Sequence, residues 1–339
     1  MNDLSPDAQP RVAAAAPYVR PDVRQFLDYL NALPGPKTHE IGAPVARQMY
    51  RAMRDVADPP LGELAVIRDL TIPGPAGDIP ARLFDARETR PPGPAVVFFH
   101  GGGFVIGDLD THASFTAEAA RSLDLPVIAV DYRLAPEAAW PAAPDDSEAA
   151  ARWVADSPEA LGRKVTGLVL MGDSAGGNLT ITAAMDLRDR PAAVPVLVQA
   201  PIYPATDSSK PYASFDQFAS GHLLTRESMA WFADCYAADI HHQRTSPVLA
   251  DLTGMPPAVI ITAGLDPLRD QGRAYAGALI AAGVPVTYRE AAGSIHGFIT
   301  LRQAIPSAAG DVAGYLTAVK AAIVEAEGER VMAQAAGGR

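Results

Sequence analysis

The sequence predicts an α/β protein built on a mainly parallel sheet with helices on both faces. Six short runs look like buried strands: Ala95–Phe99, Val127–Asp131, Gly167–Met171, Val196–Pro201, Ala258–Thr262 and Val286–Glu290. Most are continuously apolar, as strands covered on both faces are. Helix-length segments separate most of them: Thr111–Ser122, Asp145–Ala155, Ala175–Leu187 and Asp266–Ala281. Two earlier runs, Leu64–Ile72 and Ile79–Phe84, flank the turn-rich stretch Pro73-Gly74-Pro75-Ala76-Gly77 and predict an antiparallel pair. The expected sheet therefore has eight strands.

The remaining segments follow in order. Residues 1–16, rich in Pro, Ala and Asp, are expected to form a loose tail. Val23, Phe26, Leu27 and Leu30 recur at i, i+3, i+4 and i+7 and predict an amphipathic helix, which Pro34-Gly35-Pro36 ends. A second helix is expected over Ala43–Val56. More than 50 residues separate the strands ending at Pro201 and starting at Ala258, and an insertion of that size is expected to form a lid. A last helix is predicted over about Gly310–Ala326, with Val312, Leu316, Val319 and Ile323 on one stripe, followed by a frayed tail.

Composition removes several classes of function. Of 339 residues 48% are apolar, enough for a large core. A net charge of −11 repels phosphate backbones, so no nucleic-acid partner is expected. No apolar run approaches the ~20 residues that span a bilayer. Cys235 is the single cysteine, and the N-terminus has no basic, then apolar leader. A cytoplasmic protein is the expectation. His241-His242 is no ligand spacing, and with no Cys pair or H-E-x-x-H no metal is expected.

Two motifs carry chemistry. Gly172-Asp173-Ser174-Ala175-Gly176 is a G-x-S-x-G pattern between a strand and a helix, the setting of a nucleophile elbow. His100-Gly101-Gly102-Gly103-Phe104 also follows a strand, and its glycines free backbone N–H groups to face an oxyanion together with that of Ala175. A nucleophilic serine needs a base, and the base an acid, in the chain order Ser, Asp or Glu, His. Of the four histidines after Ser174, His222, His241 and His242 lie in the insertion and are read as surface or lid residues. His296 alone follows the last strand. Asp266 ends the penultimate strand and is preferred as the acid to Asp270, which falls in the next helix's first turn. Asp266 before Pro267 also suits a helix N-cap.

With these motifs the sequence resembles the bacterial hormone-sensitive-lipase-like esterases of the α/β-hydrolase fold, in the form with aspartate before the serine. The matching stretches are His100–Phe104, Asp131–Glu137 (DYRLAPE), Gly172–Asn178, Asp266–Asp270 and Ile295–Phe298, in the family's order. The resemblance implies Ser174 as nucleophile, Asp266 as orienting acid and His296 as general base. It implies oxyanion donors at Gly102, Gly103 and Ala175, with the choice among Gly101–Gly103 open, and makes the Asp131–Glu137 motif a structural brace near the site, with no catalytic role for Asp131, Arg133 or Glu137. It also implies a cap. The expected division is 1–56 tail and cap helices, 57–204 first part of the core, 205–245 cap insertion, 246–327 second part of the core and 328–339 tail. The N-terminal helices are expected to roof the site, with Phe215, Phe218, Trp231 and Phe232 added by the insertion. Phe104, Phe215 and Phe218 are expected to bind substrate. The expected partner is a small-molecule ester with short to medium acyl chains, and no cofactor is expected. A homodimer is admitted. A small-molecule-binding protein, an amidase or a lactonase on the same scaffold are the alternatives.

Overall fold

The computed structural model describes residues 16–337. Among them one eight-stranded sheet runs in the order β1-β2-β4-β3-β5-β6-β7-β8. The strands are β1 (Val66–Gly74), β2 (Gly77–Asp85), β3 (Gly93–Phe99), β4 (Val127–Val130), β5 (Val165–Asp173), β6 (Val196–Ile202), β7 (Ala258–Leu265) and β8 (Val286–Ile295). β1 and β2 form the expected hairpin, and β2 joins β4 antiparallel; every pairing from β4 to β8 is parallel. β4 and β7 are buried along their whole lengths, which accounts for their unbroken apolar sequence. The helices are α1 (Pro21–Ala32), α2 (Ala43–Ala57), α3 (Ala113–Leu123), α4 (Ala142–Ala155), α5 (Ala175–Asp189), α6 (Ala213–Gln217), α7 (Arg226–Tyr236), α8 (Arg269–Ala281) and α9 (Ala308–Gly337). None is long and apolar enough to cross a membrane.

Parallel register aligns the strand ends. Phe99 pairs with Gly172, Asp173 with Ile202, Ile202 with Ile261, and Leu265 with Ile295. The residues that follow β3, β5, β7 and β8, namely His100, Ser174, Asp266 and His296, therefore leave the sheet along one edge. Helices cover both faces and split the core. Leu70, Val97, Leu168 and Leu179 belong to one apolar cluster, and Val96, Phe98, Val259 and Leu316 to the other.

Three expectations change. Val23, Phe26 and Leu27 of α1 are buried in the second core cluster and do not face the cavity described below; only Leu30 of that stripe reaches it. The stripe recorded burial without saying against what. α1 is anchored by Arg20, whose guanidinium bonds the Ala292 carbonyl at 2.8 Å and Asp311 at 2.5 Å, and by Asp22, which accepts from the Ser307 N–H at 2.8 Å. Next, the terminal helix does not stop near 326: α9 continues through 328–337, where a frayed tail is expected. Arg330 pairs with Glu327 at 2.9 Å one turn back, and Ala, Glu, Arg and Met are strong helix formers that outweigh Gly328. Finally, α8 begins at Arg269 rather than Asp266. The tail expected over residues 1–16 lies almost wholly outside the described residues.

Candidate active site

Ser174 sits between β5 and α5 with φ 54° and ψ −115°, a strained conformation for a residue with a side chain. Crowding explains the glycines around it. A Cβ on Gly176 would strike the Phe99 carbonyl, and one on Gly172 would strike the carbonyls of Gly176 and Phe99. The turn is held by the Ser174 N–H, which donates to the Ile202 carbonyl at 2.9 Å. The result is a serine hydroxyl raised above the sheet edge at the N-terminus of α5.

His296 Nε2 lies 2.9 Å from Ser174 Oγ, and His296 Nδ1 lies 2.7 Å from Asp266 Oδ2. Asp266 is fully buried, and its other oxygen accepts the Leu268 N–H at 2.8 Å. The N-cap reading does not hold, because α8 starts at Arg269 with Leu268 as its N-cap; the Asp266 carboxylate instead closes the turn before the helix and meets the imidazole. Asp270 is turned elsewhere, accepting from the Ser214 N–H at 2.9 Å and from Arg269 at 2.8 Å. His222 and His241 lie apart from the serine: His222 bonds the Ser220 carbonyl, and His241 is exposed. His242 stacks edge-on against Trp140.

The glycine loop lies beside the elbow. The Gly101 N–H donates to Asp173 Oδ1 at 2.7 Å, so that amide is already used. Among the described residues, the N–H groups of Gly102, Gly103 and Ala175 have no protein acceptor. Gly102 and Gly103 have φ of 117° and 60°, and Phe104 has φ of 63°. Asp173 ties several parts together. Besides Gly101 it accepts from Tyr203 Oη at 3.3 Å, and Tyr203 packs on the His296 ring at 4.5 Å. Burial pushes the Asp173 carboxyl up, but His112, 3.3 Å away, and the Gly101 N–H hold it below the usual range. Under the loop, burial first and then the charge of His112 push the His100 imidazole down to about 4, so it is neutral in ordinary buffers. Its ring stacks on Tyr132 at 4.4 Å.

A cavity of about 500 Å³ opens over Ser174 and His296. α2 supplies Met49, Tyr50 and Met53 to its wall, and α7 supplies Met229, Phe232 and Tyr236. Of the three aromatic residues expected to bind substrate, Phe104 lines the cavity, stacked on Tyr236 at 3.8 Å. Phe215 and Phe218 do not line it. Phe218 is fully buried in the second core cluster and Phe215 packs under Arg226. Trp231 also stays out of the wall, leaving Phe232 as the one aromatic of the four that faces it. An aromatic residue in an insertion is buried somewhere, and composition does not tell core from wall.

A hydroxyl, an imidazole and a buried carboxylate in line, beside free N–H groups at a helix N-terminus, can carry out acyl transfer. Among the described residues no group of His, Cys, Asp and Glu is arranged to hold a metal ion.

The likenesses to known proteins agree with this chemistry. Residues 96–300 match the model of a family described as alpha/beta hydrolase fold. A carboxylic ester hydrolase of Mycobacterium tuberculosis, LipN, is 42% identical over 70% of this chain and 65% of its own length. The carboxylesterase NlhH of the same organism is 36% identical over 90% of this chain and 97% of its own. Among solved structures, an α/β-hydrolase enzyme from the metagenome of Lake Arreo is 37% identical with a TM-score of 0.85, covering 90% of this chain and 98% of that one. A thermostable esterase from Pseudomonas putida is 30% identical with a TM-score of 0.85, covering 91% and 99%. On this site and these likenesses, the chain belongs to the alpha/beta hydrolase fold family and is one of its carboxylic ester hydrolases.

Proposed function

We propose that the chain hydrolyses short- to medium-chain acyl esters through an acyl-serine intermediate, and that it stands in the hormone-sensitive-lipase-like group. The reading is carried by the line of 2.7 and 2.9 Å contacts from Asp266 through His296 to Ser174. His296 Nε2 takes the Ser174 proton as Oγ bonds to the ester carbonyl carbon. The carbonyl oxygen becomes an oxyanion facing the N–H groups of Gly102, Gly103 and Ala175, each worth about 3 kcal/mol to such a state. His296 passes its proton to the departing alkoxide, the ester C–O bond breaks and the alcohol leaves. Water then adds to the acyl carbon, giving a proton to His296. That proton returns to Ser174 as the carboxylic acid departs. Asp266 holds the imidazole with its Nδ1–H inward and stabilises the imidazolium. These steps use only side chains, backbone amides and water.

We assign the segment before residue 57 and the 205–245 insertion to one cap, since α2 and α7 both line the cavity, although α1 reaches it only through Leu30 and packs mainly in the core. A wall of Met49, Met53, Met229 and Phe232 accepts an acyl chain until the space is filled, which supports a limit near C8. The charge of −11 and the lone, partly buried Cys235 support a cytoplasmic enzyme without a nucleic-acid partner. The test is Ser174→Ala on p-nitrophenyl butyrate. Hydrolysis falls by roughly 10⁴-fold or more with the melting temperature kept, and a fluorophosphonate labels Ser174 in the wild type. Near-normal turnover by a folded variant overturns the reading.

A further inference from the structure

The oxyanion loop is held from above by the cap. Three successive residues, Gly102, Gly103 and Phe104, have positive φ, a run that persists only when its surroundings over-determine it. One determinant lies within the loop. The Gly102 carbonyl accepts the N–H groups of Val105 at 3.0 Å and Ile106 at 2.9 Å. Gly102 C=O and Gly103 N–H belong to one planar peptide unit and point in opposite directions. Fixing that carbonyl therefore aims the Gly103 N–H the other way. The second determinant comes from α2. Arg47 Nε donates to the Val105 carbonyl at 2.8 Å, and its Nη2 donates to the Ala135 carbonyl at 2.9 Å. The Ala135 N–H in turn donates to the Phe104 carbonyl at 2.8 Å. One guanidinium thus grips the loop directly at Val105 and, through Ala135, at Phe104. Two further N–H groups of Arg47 donate to Glu137, at 2.6 and 2.9 Å.

We infer that Arg47 is a positioning residue for the oxyanion loop, so that the cap helix α2 completes the catalytic apparatus as well as walling the cavity. The inference rests on the hydrolytic reading of Ser174, His296 and Asp266. A surface ion pair with Glu137 is the plainer account of Arg47. Glu137 is 57% exposed, however, and exposed pairs contribute little. Val105 and Ala135 are buried, and their carbonyls take two bonds that such a pair does not require. The planar fork also matters: an ammonium cannot reach two carbonyls and a carboxylate in one plane.

Arg47→Ala, Arg47→Lys and Glu137→Gln in the full chain test this, with Ser174→Ala as the reference for the parent reading. Losing correct aim at one donor lowers kcat of Arg47→Ala by about 10- to 100-fold, with KM within about threefold. Arg47→Lys keeps charge and fold and shows most of that loss. Glu137→Gln stays within about twofold of wild type. A trifluoromethyl ketone, which places an oxyanion on Ser174, binds each variant more weakly by the factor lost in kcat/KM. The inference is overturned if folded Arg47→Lys or Arg47→Ala keeps its kcat, if the loss falls on KM instead, or if trifluoromethyl ketone affinity is unchanged. An inactive wild type, or an active Ser174→Ala, overturns the parent reading instead.

Discussion

The floor and the roof of the cavity are made of different material. The floor is backbone: strand ends in register, a serine forced to positive φ, and glycines that exclude any side chain. The roof is side chains from helices far apart in sequence, Met49 and Tyr50 from α2 and Met229 and Phe232 from α7. A floor of backbone fixes where the reacting groups leave the sheet, with few side chains, among them Asp173 and Arg47, needed to hold it. A roof of side chains can be exchanged residue by residue without moving the serine. Chemistry and choice of substrate are thereby separated, except where Arg47 ties one to the other.

The contrast is most sharply tested at the floor. Asp266→Asn lowers kcat by roughly 10⁴-fold, because an amide no longer holds the imidazole in the useful tautomer. Asp270→Asn, whose carboxylate bonds Ser214 and Arg269, stays within about tenfold. Equal losses in steady-state rates would place the orienting charge elsewhere.

Beneath the floor, His100 ties stability to pH. Its imidazole is depressed to about 4 by burial, whereas in the unfolded chain it takes a proton near 6.5. The unfolded state therefore gains protons first, and the folded state loses ground as pH falls from about 6.5 to about 4. Denaturation of wild type and His100→Gln at pH 7 and pH 4 shows it: the stability gap between them shifts against wild type by up to about 3 kcal/mol. A gap that is constant with pH would mean that the ring is not held neutral.

The roof yields the smallest effect. Phe232 packs directly over Gly103 and borders the cavity. Phe232→Ala adds room for one or two methylenes at about 0.8 kcal/mol each, raising kcat/KM for C8 relative to C4 esters by roughly four- to fifteenfold. An unchanged chain-length profile would show that acyl chains run elsewhere in the cavity.

Legibility in the sequence follows the same division. Ser174, Asp266 and His296 were readable because each closes a strand, and strand ends follow from local apolar runs and chain order. The use of Gly101 on Asp173 was not, since it depends on which way a peptide plane turns. Phe215 and Phe218 were expected at the cavity because they are aromatic residues of the insertion, and that composition does not tell core from wall. Arg47 left no signal at all. Its partners Val105 and Ala135 lie 58 and 88 residues away, and an arginine on a polar helix face looks solvated until the fold brings carbonyls to it.

The anchoring of α1 bears on how the enzyme is made. Arg20 bonds Ala292, 272 residues further along the chain, and Asp311 beyond it. At roughly 5–20 residues per second, the first helix emerges from the ribosome about 15–60 s before its binding partners exist. Throughout that interval Val23, Phe26 and Leu27 have no completed core to enter. α1 thus depends on partners made long after it, and a chain released before residue 292 would lack both His296 and the anchor of that helix.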